Sequence, residues 1–126
     1  MPQTITPYLL YEDVATMLDW LSRAFGFEEV LRYADESGNV THAEMAYGDG
    51  TIYLGDPGDD YRSPKSSGGW PAQVSVYVDD VDAHYERAKA AGAVINAEPS
   101  DQEYGDRRYD CEDLEGHDWF FAQRLG

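Results

Sequence analysis

The feature that most constrains this chain is an internal repeat with a period of 67 residues. Asp13 and Asp80 each precede an apolar helical pattern and stand 67 residues apart. Thr51 and Asp118, each at the start of an apolar closing segment, are separated by the same interval. A period shared by helix starts and closing strands indicates a duplicated structural unit.

Each repeat predicts one helix with a defined beginning and end. The first helix follows Asp13 as N-cap and stops at Gly26, and its apolar residues recur at helical spacing: Val14, Met17, Leu18, Leu21 and Phe25. The second follows Asp80 and stops at Gly92, with the stripe Val81, Tyr85, Ala88 and Ala91. Strand patterns surround both helices at 5–11, 28–33, 51–54, 73–78, 93–97 and 118–121.

Together these patterns predict an α+β fold made of two tandem βαβββ modules. We expect curved mixed sheets around a cleft, with the helices on the outer face. Module 1 spans 1–56, a linker rich in Gly, Pro, Ser and Asp spans 57–70, and module 2 spans 71–126. Because one module alone would make a marginal domain, we expect a single domain over 1–126.

Alternation along the strands predicts which side chains face the cleft. In 73–78 the valines alternate with Gln73, Ser75 and Tyr77, so the valines should face the helix and the other three the cleft. His42 and Glu44 share one face of another strand. The candidate ligand-binding residues are Tyr8, His42, Glu44, Tyr53, Gln73, Ser75, Tyr77 and Phe120. Ordinary solvent exposure of this face is the alternative.

Charge and composition exclude several classes of partner. The formal net charge is −16, from 25 acidic and 9 basic residues, which disfavours nucleic acid and anionic membranes and permits a cationic ligand. No segment has the length and apolarity of a membrane helix, and the N-terminus lacks signal-peptide features. The only cysteine, Cys111, excludes an intrachain disulfide and is expected to be a buried small residue. We expect a cytoplasmic protein.

The chain resembles the vicinal oxygen chelate superfamily, which includes glyoxalases, bleomycin-resistance proteins and dioxygenases. The resemblance spans nearly the whole chain and is carried by the duplicated module, the helix entries 11–14 and 78–81, and the turn 113–117. The segment 104–108 is similar to the PhnB-like, bleomycin-resistance-like subgroup. One fold of this kind serves many chemistries.

The resemblance also implies where metal ligands would lie. Carried onto this chain, the ligand positions of the metal-dependent members are Thr6, Tyr53, Gln73 and Phe120. Phenylalanine has no donor atom, and Thr and Gln are poor ligands for transition metals. We therefore expect no metal and no cofactor. We expect no ligand role for the other two histidines. His84 should lie on the surface of the second helix, and His117 should have a structural role in the turn before the closing strand.

Three functions remain open from the sequence. The first is a metal-free homodimer, domain-swapped or side-by-side, that sequesters an aromatic or cationic natural product or antibiotic, with Trp70 as a lid or as packing for the linker. The second is a lyase, isomerase or dioxygenase that uses a relocated metal or metal-free acid/base chemistry at His42 and Glu44, with Arg108 holding an anionic substrate. The third is an accessory dimer with a vestigial cleft.

Overall fold

The architecture repeats itself along the chain, as the sequence period predicts. The computed structural model describes residues 3–68 and 72–126, so the predicted lid residue Trp70 lies outside the described residues. Its elements in chain order are β1 (Tyr8–Leu10), α1 (Val14–Phe25), β2 (Glu28–Ala34), β3 (Val40–Tyr47), β4 (Gly50–Gly55), α2 (Pro64–Ser67), β5 (Gln73–Tyr77), α3 (Val81–Ala90), β6 (Val94–Asp101), β7 (Asp106–Glu112) and β8 (Asp118–Arg124).

Two four-stranded sheets have the same strand order. The first runs β1-β4-β3-β2 and the second β5-β8-β7-β6. In each, the first strand pairs in parallel with the last, and the remaining pairs are antiparallel. The α+β fold with two βαβββ modules is therefore confirmed. The chain divides into two compact units, Met1–Ser63 and Pro64–Gly126, at a point inside the predicted linker.

The expected caps begin both helices and end α1, whereas α3 ends at Ala90 with Ala91 as its C-cap, one residue before the predicted Gly92. The Asp13 carboxylate accepts hydrogen bonds from the backbone N–H of Thr16 (3.1 Å) and from its hydroxyl (2.7 Å). Gly26 ends α1 in the left-handed conformation, at φ 85°. Asp80 caps α3 in the same way through the N–H of Ala83 at 3.1 Å. The two carboxylates thus accept hydrogen bonds from backbone N–H groups that have no partner within the first turn of a helix.

Each helix covers one face of the sheet in its own unit. The helix α1 packs on β2 and β3, and α3 packs on β6, β7 and β8. Apolar residues with the strand period of two form the buried layer, among them Ala43, Met45, Ile52 and Leu54 in the first unit and Tyr109, Cys111, Trp119 and Phe121 in the second. The residues between them lie on the opposite face, called here the open face of each unit.

Among the described residues, no helix is long and apolar enough to cross a membrane.

Candidate functional site

The open face of the first unit carries a cluster of aromatic rings. The rings of Tyr8, His42 and Tyr53 lie within 5.3–5.6 Å of one another, measured between centroids, in edge-on arrangements. Strand register produces this cluster, because Tyr8 is opposite Tyr53 across β1 and β4, and Glu44 is opposite Tyr53 across β3 and β4. Four predicted ligand-binding residues, Tyr8, His42, Glu44 and Tyr53, therefore share one surface.

A continuous hydrogen-bonded chain runs through three of these residues. The Tyr8 hydroxyl is 2.8 Å from Nδ1 of His42, and Nε2 of His42 is 3.2 Å from Oε2 of Glu44. Since a carboxylate only accepts hydrogen bonds, Nε2 carries the imidazole proton when the ring is neutral. Nδ1 is then an acceptor, and Tyr8 donates to it. The chain thus fixes the tautomer and orientation of His42.

Tyr8 reaches His42 by lying across a glycine. Gly55 is the Cα partner of His42 in the sheet, and a Cβ placed on Gly55 would come within 2.6 Å of Cε1 of Tyr8. Any larger residue at this position would therefore push the phenol away from the imidazole. Glycine is required at position 55 only because there is no room for a side chain, since the backbone φ of Gly55 is not positive.

A small cavity adjoins the same cluster. Its volume is about 210 Å³, and its lining residues are Gln3, Thr6, Glu44, Thr51 and Tyr53. The side-chain amide of Gln3 closes one wall by pairing with the backbone of Thr51, donating to its carbonyl (2.6 Å) and accepting from its N–H (2.9 Å).

The open face of the second unit has a different chemistry. The Arg108 guanidinium carbon lies 4.2 Å from the centroid of the Phe120 ring, in a cation–π contact. Gln73 donates a hydrogen bond to the carboxylate of Asp118, which is buried. Ser75 is the Cα partner of Phe120. The predicted residues Gln73, Ser75 and Phe120 are thus neighbours, and Arg108 covers the Phe120 ring.

Two carboxyl groups on this face lie in poorly solvated positions. Burial raises the pKa of Asp110 above its ordinary value; Asp118 adds to this rise, and Arg108 opposes it. Burial likewise raises the pKa of Asp118, against the hydrogen bond from Gln73. Oδ1 of Asp110 is buried and accepts no hydrogen bond from the described residues, while Nε of Arg108 lies 3.7 Å away.

The two open faces are built on one plan. In the first unit, His42 is opposite Gly55 and Glu44 opposite Tyr53. In the second unit, Arg108 is opposite Ala122 and Asp110 opposite Phe120. A basic residue, a carboxylate two positions later and an aromatic ring on the neighbouring strand therefore recur at equivalent register. The same arrangement recurs in both units, although the residue at each of the three positions differs.

Tyr77, another predicted ligand-binding residue, is held by its own neighbours. Its hydroxyl donates to Oδ2 of Asp106 at 2.9 Å, and the guanidinium carbon of Arg124 lies 3.8 Å from its ring centroid. The hydrogen bond to Asp106 raises the pKa of the Tyr77 phenol. Tyr77 also lines a cavity of about 270 Å³ with Val78, Asp79, Gln123 and Arg124.

The side chains at the four positions implied for metal ligands do not fit a transition metal. Phe120 has no donor atom and lies under Arg108, while the Gln73 amide is bonded to Asp118. Thr6 and Tyr53 offer only hydroxyl oxygens. Within 3–68 and 72–126, no group of three or more His, Cys, Asp or Glu side chains is arranged to hold a metal ion.

One of the two histidines outside the first sheet, His84, corrects a sequence-based expectation. His84 was expected on the helix surface, yet it is 8% exposed and its Nδ1 is 2.6 Å from the Tyr109 hydroxyl. Its ring lies 4.2 Å from that of Phe121. The expectation was wrong because His84 is three residues after Val81, which places it on the buried helix face. His117 is buried in its turn, as expected of a structural residue.

Comparison with known proteins identifies the family. Residues 4–121 match the model described as Glyoxalase/Bleomycin resistance protein/Dioxygenase superfamily. The chain belongs to this superfamily. An uncharacterized protein of Mycobacterium tuberculosis is 33% identical over 124 residues, which cover 94% of this chain and 73% of that protein.

Several solved structures are similar to this chain. TioX from Micromonospora sp. ML1 is 37% identical with a TM-score of 0.78, covering 96% of this chain and 95% of TioX. A superfamily member from Sphaerobacter thermophilus DSM 20745 has 20% identity, a TM-score of 0.76 and 98% coverage of both chains. A bleomycin-binding protein solved with bleomycin has 21% identity and a TM-score of 0.72, over 98% of this chain and 99% of that one.

Sequence patterns did not identify several residues that lie on or beside the open faces of the two units. Strand alternation alone could have found Asp110 and Asp118, since both share a face with Phe120. Gly55 and Gln3 carry no such signal. Gly55 matters because a neighbouring ring lies over it, and Gln3 because it pairs with a residue 48 positions away.

Proposed function

We propose that this protein is a metal-free binding protein that sequesters a small aromatic or cationic molecule, such as a natural product or antibiotic. The observation that carries the proposal is the ring cluster of Tyr8, His42 and Tyr53 on the open face of the first unit. Edge-on rings half open to solvent give a planar ligand apolar area and a π surface. The net charge of −16 favours a cationic ligand.

The family supports a binding role without fixing the ligand. A protein of this fold has been solved with bleomycin bound, so the scaffold is compatible with holding a large natural product. Placement of this chain in the PhnB-like subgroup, a homodimeric state, domain-swapped or side-by-side, and a cytoplasmic location belong to the same proposal.

Titration of a panel of planar aromatic compounds, half of them cationic, tests this function. Binding would be followed by calorimetry and by two-dimensional NMR of the labelled protein. Tyr53→Ala should weaken every hit by about fivefold to tenfold, the size expected for loss of an aromatic contact of about 1–1.4 kcal/mol. Tyr104→Ala is the matched control, because Tyr104 is an exposed tyrosine in the turn between β6 and β7. A panel without a single saturable binder contradicts the proposal.

One observation favours a second candidate, metal-free acid/base catalysis. Both nitrogens of His42 are engaged in the Tyr8–His42–Glu44 chain, so a substrate proton would pass to the Tyr8 oxygen as the Tyr8 proton moves to Nδ1. The imidazolium formed would be stabilised by Glu44. Such a base would remove a proton from the carbon beside a carbonyl group, the first step of an isomerase reaction.

Deuterium exchange distinguishes this candidate from simple binding. Protein in D₂O would be incubated with small hydroxyketones, and exchange at the carbon beside the carbonyl followed by NMR. Catalysed exchange that disappears in both Tyr8→Phe and His42→Gln supports catalysis. Exchange no faster than in buffer, or unchanged in both variants, contradicts it.

A further inference from the structure

The cavity beside the ring cluster of the first unit is too small for a whole ligand. Its volume of about 210 Å³ compares with roughly 300–1,000 Å³ for sites that enclose a drug-sized molecule. It exceeds the roughly 30 Å³ of a single water several times over. A cavity of this size suits one functional group at the end of a larger molecule.

The walls of this cavity determine which functional group fits. Glu44 is the single acidic or basic side chain among the five lining residues, and the other four are Gln3, Thr6, Thr51 and Tyr53. Oε2 of Glu44 accepts a bond from His42, and the structure shows no other hydrogen bond to this carboxylate among the described residues. The cavity therefore offers a negative charge, acceptor oxygens and an aromatic ring, the environment that an organic cation requires.

The orientation of Glu44 is fixed before any ligand arrives. His42 holds one carboxylate oxygen, Tyr8 holds His42, and Gly55 leaves the space for the Tyr8 ring. Fixing a side chain in advance reduces the conformational entropy lost on binding. The Tyr8–His42–Glu44 chain thus serves a binding role even where no proton moves along it.

We infer that this cavity is a head-group site for a primary ammonium or guanidinium group, which binds to Glu44 against the Tyr53 ring. The inference rests on the proposed sequestering function and deepens it, because it names the charged group of the ligand and the carboxylate that selects it. The planar part of the same molecule would lie outside the cavity, on the ring cluster.

Three probes of matched shape test the assignment: benzylamine, benzyl alcohol and benzoate. Wild-type protein should bind benzylamine at least tenfold more tightly than benzyl alcohol, and benzoate least. Glu44→Gln should remove this preference by weakening benzylamine binding about tenfold or more. Glu36→Gln is the matched control, since it removes one exposed carboxylate of the same unit outside the cavity. Thermal unfolding of each variant would confirm that it folds.

A second variant tests the assignment independently, in case Glu44→Gln does not fold. Tyr53→Leu keeps the carboxylate but removes the ring, and should weaken benzylamine about threefold to tenfold through the lost cation–π contact. Equal affinity for benzylamine and benzyl alcohol, or the same amine preference in wild type and Glu44→Gln, overturns the assignment. Absence of any benzylamine binding to wild-type protein overturns it too.

The outcomes separate this inference from the proposed function. If the aromatic panel binds equally to wild type and Glu44→Gln, and the amine preference is absent, the head-group site fails while sequestration stands. If benzylamine binds in a Glu44-dependent manner and no larger aromatic compound binds, the head-group site stands while sequestration fails.

Discussion

The ring of Tyr8 occupies the space that a side chain at Gly55 would fill. A Cβ on Gly55 would lie 2.6 Å from Cε1 and 3.0 Å from the hydroxyl oxygen of Tyr8. Tyr8 is 52% exposed, so burial alone does not hold the ring in this position. Its contacts with Gly55, His42 and Tyr53 hold the ring there. Gly55 has no functional side chain, yet through Tyr8 it affects the geometry of the candidate site.

Gly55→Ala should therefore separate Tyr8 from His42 with little loss of stability. We expect the unfolding free energy to change by about 1 kcal/mol or less, because the half-exposed ring can rotate into solvent. The ¹⁵N shift of His42 Nδ1 should move as the Tyr8 hydrogen bond is lost. Gly50→Ala is the control, since its added Cβ would meet only the Tyr47 carbonyl at an ordinary 3.5 Å. An unchanged His42 shift in Gly55→Ala would refute the positioning role.

Asp113 holds the last hairpin together. Its buried carboxylate accepts hydrogen bonds from the N–H groups of Glu115 and His117 and from Nε1 of Trp119, each at 3.0 Å. Asp113→Ala should lower the unfolding free energy by about 3 kcal/mol or more, because bonds to charged groups contribute about 1.5–3 kcal/mol each. Urea unfolding measures the change. Asp49→Ala, in the exposed turn of the first unit, should change it by about 0.5 kcal/mol at most.

The buried position of His84 predicts how much stability is lost when its side chain is truncated. His84→Ala should lower the unfolding free energy by about 2–4 kcal/mol, the range for truncating a large buried side chain. It removes the bond to Tyr109 and the packing on Phe121. Glu86→Ala, on the exposed side of the same helix, should be nearly neutral. A cost for His84→Ala as small as that for Glu86→Ala would place His84 on the surface after all.

The raised pKa of Asp110 predicts how stability changes with pH. Between the ordinary pKa of 3.8 and its raised value, the folded protein holds more protons than the unfolded chain. Stability therefore falls as pH rises through that window and stays lower above it. At pH 7, Asp110→Asn should raise the melting temperature, because it replaces a poorly solvated charge with a neutral group of the same shape.

The advantage of Asp110→Asn should shrink as pH falls toward 3.8, where wild-type Asp110 is protonated as well. Scanning calorimetry from pH 4 to pH 8 measures it, with exposed Asp49→Asn as the control. A variant less stable than wild type at pH 7 would mean that attraction to Arg108 outweighs the loss of solvation.

Cys111 should report on unfolding. It lies in β7 with its side chain fully buried, and burial raises the pKa of its thiol well above the usual range. Since the thiolate is the reactive form, alkylation by iodoacetamide at pH 8 should be slower by about a hundredfold or more in the folded protein than in urea. Equal rates, followed by mass spectrometry, would contradict the burial of Cys111.

The sequence by itself determined the repeat, the helices and the faces of the strands. These follow from local signals: the caps Asp13 and Asp80, the αL glycine at Gly26, and apolar residues at spacings of two or between three and four. Because strand alternation determines a side chain's face, His42 and Glu44 could be placed together, whereas Tyr53 came only from the family resemblance.

Only the tertiary structure decided which of those side chains touch. The bond between Tyr8 and His42 joins residues 34 positions apart and depends on empty space at Gly55. Arg108 lies over Phe120, and His84 faces the core, because neighbouring strands and helices bring these side chains together. Local sequence patterns indicate the spacing of apolar residues along an element and the face on which each side chain lies. Distances between strands distant in sequence depend on sheet register and packing, which no local pattern contains.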